Sequence, residues 1–121
     1  METLAIARIW AAAAWADDQI HATEAAAFYR FLEAAIDLDD AQREEASALL
    51  DARPTIAVAD EVAKLSPFNR EGVYRAVIAI VQIDGKVTDD ELSFVTRLRD
   101  QLELDPKVVA RIESEWRTRL P

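Results

Sequence analysis

The chain has 121 residues, 51% of them apolar and 31% charged, and its 23 acidic residues against 14 basic ones give a formal net charge of -9. A field of that sign repels phosphate backbones and anionic lipid, which sets nucleic acid and membrane surfaces aside as partners. The sequence contains no cysteine, so disulfides, thiolate metal sites and cysteine nucleophiles are excluded together, and a reducing cytoplasm is the expected location.

A chain of 121 residues suits one domain, 1–121, burying roughly two-thirds of the surface its unfolded form exposes. Abundant alanine, two glycines and clear capping residues predict an all-α fold, and no segment shows the alternation of a strand. The first helix, about Thr3 to Ala16, is apolar on nearly every face except at Arg8, the pattern of a buried central helix. It falls short of the ~20 residues that cross a bilayer, and Glu2 is the opposite of the basic start of a signal peptide, so no membrane insertion is expected.

After a turn at Asp17-Asp18-Gln19-Ile20-His21, a second helix runs from about Ala22 to Ala35 with Phe28, Phe31, Leu32 and Ala35 on one face. Asp39 and Gln42 resemble a capping pair for a third helix, about Asp40 to Ala52, with Ala41, Ala48 and Leu49 inward. Pro54 suits the first turn of a fourth, about Thr55 to Leu65, whose Val58, Val62 and Leu65 share a face. Ser66-Pro67 opens the fifth, to about Ile83, a second helix apolar on nearly all sides and interrupted by Arg75. The sixth, from Asp89 to about Gln101, is expected to turn Leu92, Val95, Leu98 and Leu102 inward; the seventh, opened by Leu104-Asp105-Pro106, runs to about Arg119 with Val109, Ile112, Trp116 and Leu120 aligned.

A shift of 67 positions lays the first half on the second: Arg8 on Arg75, Asp17 on Asp84, Asp18 on Gly85, Ile20 on Val87, Glu24 on Glu91, Phe28 on Val95, Arg30 on Arg97 and Phe31 on Leu98. Each half reads as buried helix, acidic turn, amphipathic helix, capped helix, so that two apolar central helices can bury one another. The expected architecture is a bundle of about seven helices with an internal two-fold pseudo-repeat.

The stretch from Ile83 to Glu91 is the richest in chemistry. Gly85 after Asp84 suits a sharp turn, and Thr88 with Glu91 forms the pattern of a capping box. An apolar helix leading into Asp-Gly-x-Val-x-x-x-Glu, repeated in weaker form from Asp17 to Glu24, resembles the tellurite-resistance TerB-like domains, including the TerB-like part of membrane-linked DnaJ-type co-chaperones. The resemblance covers about Leu4 to Trp116. It implies a compact all-helical bundle, an acidic surface proposed to bind metal, and a non-enzymatic part in stress response. The residues carried over are Asp84, Gly85, Val87 and Glu91, with Asp17, Ile20 and Glu24 in the first half; Asp18 departs from the pattern, which prefers glycine there.

Two readings of these residues stand side by side. In one, Asp84 and Gly85 make a turn, Val87 plugs the core and Glu91 caps a helix. In the other, Asp17, Glu24, Asp84 and Glu91 converge on a hard divalent ion, calcium, magnesium or manganese, which relieves their mutual repulsion. The second half of a calcium-binding helix-loop-helix is also matched, but its leading ligand positions hold Ile80 and Gln82 and lack the required set. A metal-dependent hydrolase built on the same carboxylates is a third possibility. His21, the sole histidine, has no orienting motif around it, and there is no glycine-rich phosphate loop, so no catalytic residue is assigned. The expected function is a non-catalytic interaction or sensing module with a protein partner, or a purely structural partner-binding domain. An apolar groove beside the turns, or an exposed Trp15, would point to partner binding.

Overall fold

The computed structural model describes residues 2–16, 18, 20–82 and 88–119, the last four by backbone alone. Seven α-helices follow one another: α1 Thr3–Ala14, α2 Ala22–Ala34, α3 Asp40–Ala48, α4 Val58–Val62, α5 Pro67–Val81, α6 Asp89–Leu102 and α7 Pro106–Arg119. No strand occurs among the described residues.

Three helices of the first half have counterparts in the same order in the second, α1 with α5, α2 with α6 and α3 with α7. α1 and α5 are the central helices, and α2 and α6 begin 67 positions apart, each opened by a glutamate at its third position. α3 and α7 begin 66 positions apart, one residue short of the shift that aligns the earlier elements. The amino ends of α1 and α5 meet where Glu2 accepts a hydrogen bond from the Ser66 N–H. That bond, with one from the Asn69 side chain, holds the Glu2 carboxyl below its ordinary range.

The central helices are complementary rather than identical. Ala7, Ala11, Ala13 and Ala14 of α1 are all buried, and their counterparts 67 positions on are Tyr74, Ile78, Ile80 and Val81, also buried. Ala13 lies in one apolar cluster with those α5 residues, whereas Ala7 and Ala11 lie on the other side of α1 with Phe28 and Leu32 of α2, where their small side chains let large neighbours fill the space, the condition for native packing density. Around this pair lies one cluster that includes Ile9, Val62, Val77, Leu98, Leu102 and Ile112. A second, of Phe28, Leu32, Leu38 and Ala46, lies against the other side of α1. Trp10 joins the two and meets Phe28 and Phe31 edge-on at 5.5 and 5.0 Å between ring centroids.

Charged side chains close the helix ends. The Arg43 guanidinium donates to the Leu32 and Ala35 carbonyls at the end of α2, and Arg70 reaches the Leu102 carbonyl at the end of α6. Both serve carbonyls at helix carboxyl ends, where intrahelical donors run out and cations suit the dipole.

Three expectations are corrected. α4 begins at Val58, not Thr55, because residues 53–57 form no helical turn and Ala57 is extended; Pro54 and the β-branched Thr55 and Ile56 disfavour continuing the helix there. α3 ends at Ala48 and turns Ala46 inward, fully buried, while Ala41 and Ala48 are exposed. Leu92 is 58% exposed, and the inward stripe of α6 is instead Glu91, Val95, Leu98 and Leu102. The carboxylate occupies the core-facing position that hydrophobicity would have given to leucine.

Candidate functional site

α1 ends at a tight turn in which the Asp18 N–H donates to the Trp15 carbonyl at 2.9 Å. Asp18 has φ +65°, so this position requires the left-handed backbone that glycine adopts most readily. Aspartate tolerates it better than most residues, so the first turn is made without a glycine. Asp18 is exposed and its carboxylate pairs with Arg53.

The helices that follow start identically. Glu24 Oε1 accepts from the His21 N–H at 3.0 Å, and Glu91 Oε1 accepts from the Thr88 N–H at 3.0 Å. Thr88 returns the favour, its hydroxyl accepting from the Glu91 N–H at 3.1 Å. His21 thus starts α2, and its ring lies 4.0 Å from Glu24. Capping glutamates usually sit in water, whereas Glu24 and Glu91 are 2% and 4% exposed. Buried carboxylates need polar partners, and in each case the N–H that opens the helix supplies one.

Of the four proposed ligands, Glu24 and Glu91 are therefore sealed at matched positions, while Asp17 and Asp84 lie outside the described residues, as do Gly85 and Val87. Among the described residues no group of three or more histidine or acidic side chains could hold a metal ion. Sequence reasoning set Gln82, the residue after α5 and two before Asp84, aside as a ligand. Its Oε1 is buried without a hydrogen-bond partner among the described residues, and such an orphan acceptor invites a chemical explanation.

Arg8 and Arg75, matched in sequence, are also matched in use. Arg8 pairs with Glu45 of α3 at 2.7 Å and with Glu61 of α4 at 3.4 Å; Arg75 pairs with Glu115 of α7 at 3.2 Å and with Glu71 at 3.7 Å. Among the described residues their partners are these helical glutamates, not the acidic turns. Each arginine joins its central helix to the third helix of its own half.

Beside the first turn lies a cleft of about 530 Å³. One wall is segment 53–57, through Pro54 and Ile56; the facing wall is α6, through Asp90, Phe94 and Arg97; Trp15 lines it from the end of α1. The half-buried Trp15 ring is fixed by its indole N–H, which donates to the Leu49 carbonyl at 2.9 Å. A groove beside the first turn is thus present, with charged as well as apolar walls.

These features define an all-helical domain of two similar halves, each with a buried central helix followed by a helix opened by a sealed capping glutamate. The chain belongs to the TerB family: the family model described as Tellurite resistance protein TerB matches residues 3–114. No curated protein and no solved structure matches it. Among the described residues no helix is long and apolar enough to cross a membrane.

Proposed function

We propose that the domain is a non-catalytic interaction module of a tellurite-resistance-type stress system, and that its two acidic turns share a divalent ion held by Asp17, Glu24, Asp84 and Glu91. The observation that carries this reading is the near-complete burial of Glu24 and Glu91 at equivalent places in the two halves. Capping explains why a glutamate stands at each position, but it works at an exposed surface and does not require burial. A carboxylate offers about four lone-pair sites, so one side chain can cap a helix and ligate a cation together. The orphaned Gln82 Oε1 beside the second turn adds a neutral oxygen of the type that calcium accepts.

An ion that binds only the folded state stabilises it in proportion to the logarithm of its concentration. Isothermal titration of metal-stripped protein with calcium, magnesium and manganese tests this. One ion is expected to bind at one site per chain, and Glu24→Gln and Glu91→Gln are each expected to weaken it while leaving the helical spectrum intact. Absence of heat with every ion, or unchanged affinity in both variants, would overturn the reading. The cleft beside Trp15 supports the interaction half of the proposal.

A further inference from the structure

We draw no further inference here: the strongest candidate, the surface patch between α2 and α3 where the almost fully exposed Ile36 stands beside Asp37, Asp39 and Asp40, carries nothing because nothing in the structure shows what covers it.

Discussion

Tyr74→Phe removes one oxygen from the centre of the core, and its cost fades as pH rises. The Tyr74 side chain is 0% exposed, and its hydroxyl donates to Glu113 Oε1 at 2.8 Å. Glu113 also pairs with Arg99 at 3.3 Å and is 26% exposed, so water can replace part of what it loses. At neutral pH the lost charge-assisted bond should cost about 1.5 kcal/mol, the lower end for hydrogen bonds to charged groups. For a domain of this size that is a fall of about 6 °C in Tm.

Burial, reinforced by Glu113, pushes the phenol pKa well above its ordinary value. A raised folded-state pKa means that the neutral phenol is favoured by folding. Its stabilisation is fully present below the unfolded pKa of about 10 and is lost as pH rises towards the folded value. By pH 11 the wild type should have lost about 1.4 kcal/mol that the phenylalanine variant never had. The deficit of the variant should therefore nearly close between pH 9 and pH 11. Urea unfolding followed by circular dichroism at pH 7, 9, 10 and 11 measures it, with the exposed Tyr29 common to both proteins. A deficit as large at pH 11 as at pH 7 would refute the claim that folding holds this phenol neutral.

Other substitutions probe the remaining parts of the account. Gly72 lies inside α5 with nothing within 4 Å of an added Cβ, and its counterpart in α1 is Ala5; Gly72→Ala should gain about 0.8 kcal/mol in urea unfolding. Asp18→Gly should gain about 0.5 kcal/mol, since relief of the left-handed backbone outweighs an ion pair whose side chains are 55% and 73% exposed; a loss would mean that the turn is shaped by the pair. Arg8→Ala leaves Glu61, 9% exposed, with Lys64 as its remaining cation, and should cost about 2 kcal/mol by thermal unfolding. Glu45→Ala, at the half-exposed end of the same network, should cost under about 0.5 kcal/mol.

What could be read from the sequence was what is decided locally. Asp39, Ser66 and Thr88 each accept a hydrogen bond three residues on, and a pattern of that span shows in the sequence wherever it occurs. The central helices were legible because apolar residues on every face leave no other placement. Leu92 failed because hydrophobicity cannot tell which of two adjacent residues turns inward when the other, Glu91, is fixed by a capping bond. Segment 53–57 failed because Val58, Val62 and Leu65 keep helical spacing although their helix begins only at Val58. The cleft joins Trp15, Ile56 and Phe94, residues about 40 positions apart, whose meeting depends on how α1, α4 and α6 pack. Gln82 shows nothing in sequence, since an orphaned oxygen is defined by the donors that surround it.

The shared ion is the central claim, and thermal unfolding of metal-stripped protein tests it most directly, with calcium, magnesium, manganese and zinc added singly and with Glu24→Gln, Glu91→Gln and Asp84→Asn alongside. Glutamine preserves the capping pattern, so each variant keeps its fold while the ion loses a charged ligand. The account predicts that one hard cation raises the midpoint of the wild type by several degrees, and that a change in either half abolishes the rise. A midpoint indifferent to every ion, or a rise that survives Glu24→Gln and vanishes only with the second-half variants, would contradict a site shared between the two turns.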